Sequence, residues 1–133
     1  MKNKLAKQKV LTRDLIKYSE QMSIDPIPRI TFNPKEWDLL VKNKRKTKRN
    51  RWLGCSSRKD NVILVNLEFN GPVHSKVYKG TKNNRYYEII KVPWGLGQAR
   101  QTLVHELVHI KWKMSHGYAF AKRIDEILRG KRF

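Results

Sequence analysis

Acidic side chains are scarce in this chain: 11 Asp and Glu stand against 30 Lys and Arg in 133 residues, a formal net charge of +19. A charge that large repels itself unless salt or an anionic partner screens it, and nucleic acid is the commonest such partner, ahead of a membrane surface or an acidic protein. Cysteine is almost missing. Cys55 stands alone, so no internal disulfide can form, which suits a reducing compartment. No apolar run approaches the roughly 20 residues of a membrane-spanning helix, and the N-terminus lacks the apolar core of a signal peptide. An intracellular location is therefore expected, in the cytoplasm or at the nucleoid or nucleus. Internal repeats, a phosphate-binding glycine loop and a Ser/His/Asp arrangement are also absent. Gly95-Leu96-Gly97 has neither the lysine nor the spacing of a P-loop and reads as a flexible lead into the next helix. What remains is the length of a single domain, with 39% hydrophobic residues, enough for one modest core.

Against this background one stretch stands out, His105-Glu106-Leu107-Val108-His109. Residues four apart on a helix share a face, so both imidazoles can reach one ion, and H-E-x-x-H is the signature of zinc peptidases. Neutral imidazole suits zinc at about 2.0–2.1 Å per bond, with room left for a third protein ligand and a water. Glu106 is rotated roughly 100° from His105, where its carboxylate can face that water as general base and later pass the proton to a leaving amine. Leu103, Leu107, Ile110 and Met114 form one apolar stripe and Val104, Val108 and Trp112 a second. The spacing predicts a helix that begins just after Gly97, runs through the core and stops at Ser115-His116-Gly117. The plain alternative is a buried helix with two satisfied core histidines. Glu106 argues against it, because a carboxylate in an apolar helix costs free energy unless something charged answers it.

One zinc per chain needs a third ligand. His116, seven residues past His109, can return to the same ion through a turn after Met114, with Asp125 and Glu126 on the following helix as competitors. That helix carries Ala121, Ile124, Ile127 and Leu128 on an apolar face and ends at Gly130. H-E-L-V-H followed by His116, Gly117 and Phe120 in an H-G-x-x-F pattern resembles the SprT-like zinc metallopeptidases, together with related small zincins, the minigluzincins and the YgjP-like group. The resemblance covers residues 97–130 and only loosely the strand region before them. It implies a zincin-like fold, zinc held by His105, His109 and His116, and Glu106 as the catalytic residue. It also implies protein substrates attached to DNA, as for the eukaryotic relatives. The cysteine zinc ribbon that SprT proteins often carry is absent. A second resemblance is to the YbeY-type endoribonucleases of rRNA maturation, whose three histidines follow a similar pattern; this chain has one more residue before the last. A third reading is a non-catalytic basic nucleic-acid-binding module with a structural zinc.

The rest of the chain builds the frame. Residues 1–24 predict a basic amphipathic helix, in which Lys2, Lys4, Lys7 and Lys9 precede Leu11, Leu15, Ile16, Tyr18 and Met22. It either packs its apolar side on the domain or serves as a basic arm on DNA or RNA. A turn at Asp25-Pro26-Ile27-Pro28 leads to a strand at 29–32, then to a short helix capped by Asn33 with Pro34 in its first position. Lys42, Lys44, Arg45, Lys46, Lys48, Arg49 and Arg51 are the densest charge, an exposed segment at 42–51 suited to phosphate contact without sequence preference, with DNA favoured over RNA. Residues 52–56 and 61–69 predict two strands around a polar turn. The second alternates between an apolar and a mixed face and is either a peptide-binding sheet edge or an ordinary core strand. His74 is expected in an exposed loop, and 85–92 in a strand rich in aromatic and β-branched residues. Tyr86, Tyr87 and Tyr118 are candidate hydrogen-bond donors to the oxyanion of a tetrahedral intermediate, with Tyr118 carried forward. The last three residues, Lys131 to Phe133, are expected to fray. The expected architecture is a single α+β, zincin-like domain with a small mixed or antiparallel sheet, a central metal-bearing helix and flanking helices.

Overall fold

The computed structural model describes residues 2–41 and 52–133. Strands β1 (Arg29–Thr31), β2 (Gly54–Ser57) and β3 (Val62–Val65) form a mixed sheet in the order β1-β3-β2, with β1 parallel and β2 antiparallel to the central strand. Helices α1 (Lys2–Gln21), α2 (Pro34–Leu40), α3 (Leu96–Lys111) and α4 (Tyr118–Leu128) surround it, and β4 (Val73–Thr81) pairs with β5 (Asn84–Val92) as a separate antiparallel hairpin. The fold is mixed α+β. Among the described residues no helix is long and apolar enough to cross a membrane.

All four residues of β3 are buried, which corrects the expected alternation of apolar and mixed faces. The reason is that both faces of the strand are covered. Ile63 and Val65 join the main core with α1, α3 and α4, while Val62 and Leu64 pack with Trp37 of α2 in a smaller cluster on the other side. A strand covered on both sides needs apolar residues at every position. The strand is also central, so the sheet edges are β1 and β2.

Helix α1 buries Leu11, Leu15 and Tyr18, and Met22 just past its end is buried with them, positions spaced to fall on one helical stripe. It packs on the domain, tied to α3 by a 2.7 Å ion pair between Asp14 Oδ2 and Arg100 Nε. Asn33 caps α2 as expected, its Oδ1 accepting from the Glu36 backbone N–H at 2.8 Å with Pro34 in the first turn. At the end of α4, Gly130 takes φ +101°, and the N–H groups of Gly130 and Lys131 donate to the carbonyls of Ile127 and Glu126. That is the glycine-terminated C-cap that satisfies otherwise orphaned carbonyls.

Three expectations need correction. Helix α3 starts at Leu96, so Gly97 lies inside it, and it stops at Lys111, leaving Met114 outside. Trp112 leaves the helix to meet the Phe133 ring, and Arg123 lies over both rings at 4.4 and 4.7 Å. The C-terminal residues are consequently not frayed: Phe133 N–H donates to the Gln21 carbonyl at 2.8 Å, and Gln21 Nε2 donates to the carbonyls of Ile127 and Lys131, each at 2.7 Å. His74 lies in β4 rather than a loop. That strand was hidden because its polar and cationic residues leave no clear apolar alternation, and its pairing with β5 across a two-residue loop gives it its regularity.

Candidate metal centre

The buried positions of α3 are Ala99, Leu103, Val104, Glu106, Leu107 and Val108. Burying that stripe leaves His105 and His109, one turn apart, on the side that faces the α3–α4 connection. His116 lies in this connection, two residues before α4 begins. The three Nε2 atoms converge at 3.2 Å (His105–His109), 3.1 Å (His105–His116) and 2.8 Å (His109–His116). Among the described residues they form a group close enough to hold a metal ion.

The triangle has a chemical consequence. The Nε2 of a neutral imidazole is either a donor or an acceptor, and three atoms in mutual contact cannot alternate the two roles. At least one pair must set like against like. Protonation of His105 is disfavoured, because burial first and then His109 and His116 hold it down at about 3. Burial and His116 lower His109 as well. A cation resolves the conflict by accepting a lone pair from each ring. Two nitrogens bound to one tetrahedral zinc at about 2.0–2.1 Å stand roughly 3.3 Å apart, so these donors need open only slightly. Three nitrogen ligands leave one position for a small molecule.

Phe120 is the packing hub of the site. It is 3% exposed, and its ring lies 4.7, 4.7 and 5.1 Å from the rings of His105, His109 and His116. An apolar wall against the three imidazoles restricts their rotation, and burial disfavours the charged forms of His105 and His109. The H-G-x-x-F pattern contained this residue, but only the packing assigns it a role.

Glu106 is 6% exposed. Its Oε2 lies 4.0 Å from His105 Nε2, too far for a direct hydrogen bond. Burial pushes its carboxyl up to about 7, against the opposing pull of a hydrogen bond with Ser56. Gly54 closes the other side. A Cβ built there would stand 2.5 Å from Thr102 Cγ2, 2.9 Å from the Leu64 carbonyl oxygen and 3.2 Å from Glu106 Oε2. Neither Ser56 nor Gly54 was singled out in the sequence. The one available signal was a glycine within a strand, which often marks a close approach by another element. Arg58 was missed too: its Nε donates to the Ile110 carbonyl at 3.1 Å, a cation satisfying the C-terminal end of α3.

Two hollows meet at the histidines. One, of about 510 Å³, is bounded by Gly54, Cys55, Ser56 and Arg58 along β2 and by the three histidines with Glu106. The other, of about 370 Å³, reaches from His105 and His116 between α3, α4 and β4, with Leu53, Val73, Phe120 and Ile124 supplying apolar walls. The acidic candidates for third ligand are elsewhere engaged. Glu126 pairs with Arg123 and Lys131, and Asp125 with Arg129. Tyr118 directs its hydroxyl to the Gly80 carbonyl at 3.5 Å. The expected phosphate-contacting segment, Lys42 to Arg51, lies outside the described residues.

Comparisons with protein-family models, curated proteins and solved structures find no match. The chemistry of the site therefore carries the functional argument.

Proposed function

We propose that this chain is a zinc-dependent peptidase that works on or near nucleic acid. The observation that carries the reading is the buried carboxylate of Glu106 beside three converging imidazoles, its Oε2 4.0 Å from His105 Nε2. A core helix has no structural need for such a group. When bound, zinc supplies Lewis-acid polarisation of a carbonyl and acidifies a water.

The chain's own residues supply the remaining functions. His105, His109 and His116 hold the ion, and Phe120 holds the rings. Glu106, raised by burial to about 7, can take up and release a proton near neutral pH, the property required to move one from an attacking water to a leaving amine. Ser56 steadies that carboxylate. Strand β2 is a sheet edge and borders the same hollow as Glu106, so an extended peptide can add to it through backbone hydrogen bonds with little side-chain selectivity. The net charge of +19 supports a nucleic-acid setting for the substrate.

The test uses purified wild type, Glu106→Gln and His116→Ala, each assayed for zinc content and for cleavage of a denatured protein with and without DNA. Glu106→Gln should keep its zinc and lose at least about 10²-fold in rate, the typical contribution of a general base. His116→Ala should bind zinc more weakly. Unchanged cleavage in Glu106→Gln would sink the mechanism. RNA cleavage without proteolysis would point to the endoribonuclease alternative, and zinc with no hydrolysis of either to a structural site.

A further inference from the structure

The β4–β5 hairpin projects from the core, anchored at its base by the buried Val73. Every residue from Lys79 to Lys91 is exposed. Its pairing sorts the side chains onto two unlike faces. His74, Lys76, Tyr78 and Gly80 lie opposite Lys91, Ile89, Tyr87 and Arg85, and directly opposed residues share a face. This face carries three fixed cations and no carboxylate or carboxamide. On the other face Lys79 is neutralised by Glu88 at 3.0 Å.

The cationic face is also aromatic. Tyr87, 51% exposed, packs against Tyr78 at 5.9 Å, and Tyr78 against Tyr118 of α4 at 6.3 Å. Lys76 Nζ lies 4.8 Å from the Tyr87 ring centre, and the Arg85 guanidinium 4.5 Å from that of Tyr118. A row of tyrosines interleaved with cations offers π-faces for unpaired bases and charge for phosphates, the two ingredients of single-strand recognition. An acidic peptide would use the cations without the tyrosine row, and a membrane surface would take tyrosines beside a broad apolar face, whereas this face carries a single exposed aliphatic residue, Ile89. Stacking on the tyrosines and charge on the phosphates are both satisfied by a strand that has no 2′-hydroxyl, so DNA meets all that this face offers.

We propose that this face of the hairpin binds single-stranded DNA. Lys76 and Tyr78 also line the hollow that reaches His105 and His116, so a strand held here runs alongside the metal centre. The surface stands independently of the peptidase reading. If both hold, it brings DNA-attached polypeptide to the site.

The test is fluorescence anisotropy with a thymidine oligonucleotide, performed on Glu106→Gln protein so that binding is read apart from any hydrolysis. The opposite face supplies controls, since Tyr86 is 49% exposed and Lys79 is a lysine already paired with Glu88. Tyr87→Ala should weaken binding about 10-fold or more, as expected for loss of one stacked base, while Tyr86→Ala stays within about twofold on the same scale. Tyr87→Phe should bind like the parent. Lys76→Ser should lower the salt dependence by about one phosphate contact, and Lys79→Ser should not. Equal effects on the two faces, tighter binding of duplex or of a uridine RNA, or the same Tyr87→Ala loss with inorganic polyphosphate would each overturn the proposal.

Discussion

Gly54 and Glu106 meet with no room between them: a Cβ on the glycine would stand 3.2 Å from the carboxylate Oε2, and 2.5 Å from the neighbouring Thr102 Cγ2. An edge strand and the metal-bearing helix are thus held at a separation that only glycine permits. Gly54→Ala should destabilise the protein by roughly 1–3 kcal/mol, the usual cost of overpacking, and lower the rate of peptide cleavage while zinc content is retained. Thr102→Ser, which removes the nearest methyl, should recover part of both losses. An alanine variant with parental stability and activity would show that the strand yields freely.

Phe120 links the core to the three converging histidines. Phe120→Ala should cost about 3–5 kcal/mol in stability and weaken zinc binding by more than tenfold, because three imidazoles lose the wall that orients them. Phe120→Leu keeps most of the apolar volume and should retain more of both. Thermal unfolding and competition with a zinc chelator measure the two effects. Zinc affinity that survives Phe120→Ala would make the ring contacts incidental.

The pH dependence of the zinc-stripped chain should contain opposing contributions from the histidines, His109 being lowered in the same direction as His105, and from Glu106. His105 titrates at about 3 when folded against 6.5 ordinarily, so the unfolded chain holds the extra proton between those values. That contribution is fully present above pH 6.5 and is lost as pH falls towards 3. Glu106 titrates at about 7 when folded against 4.5 ordinarily, so the folded chain holds the extra proton. Its contribution is present below pH 4.5 and is lost as pH rises through 7. Glu106→Gln removes only the second. Relative to wild type it should gain stability from pH 4.5 to 7.5, by at most about 3 kcal/mol at about 1.36 kcal/mol per pKa unit. Urea unfolding across this range checks the sign, and parallel curves for the two proteins would contradict the buried carboxyl.

Gln21 closes the C-terminal clasp by donating to the Ile127 and Lys131 carbonyls. Gln21→Leu removes two hydrogen bonds, although the Ile127 carbonyl keeps the Gly130 N–H, and should cost roughly 1–3 kcal/mol at about 0.5–1.5 kcal/mol per bond. Removal of Phe133 should likewise destabilise, through the lost ring contact with Trp112. Neither change touches the histidines, so zinc affinity in the folded proteins should remain unaltered. A large fall in affinity would mean that the clasp also sets the metal site.

The helices and caps were legible where local chemistry decides them. The stripe of Leu11, Leu15, Tyr18 and Met22, the Asn33-Pro34 start of α2 and the Gly130 stop of α4 are all read from residue spacing and backbone preference, whereas Ile16, read with that stripe, is 46% exposed. Both histidines and the glutamate of the candidate site followed from one helical period. By contrast β4 was not legible, because a strand with mixed polar residues acquires its regularity only from its partner. Nor was the burial of both faces of β3, since a short apolar run does not say how many layers cover it.

By itself the sequence determined that His105 and His109 share a face, since a 3.6-residue period leaves no other arrangement, and that the charge is strongly positive. The tertiary structure decided what joins them. His116, rather than Asp125 or Glu126, completes the cluster because the chain leaves α3 after Lys111 and returns through Gly117, a path set by the packing of Trp112 and Phe120. It also placed Gly54 and Ser56 against Glu106, although about 50 residues separate them in the chain. Contacts at that range depend on how the sheet edge docks on the helix, which no local spacing encodes.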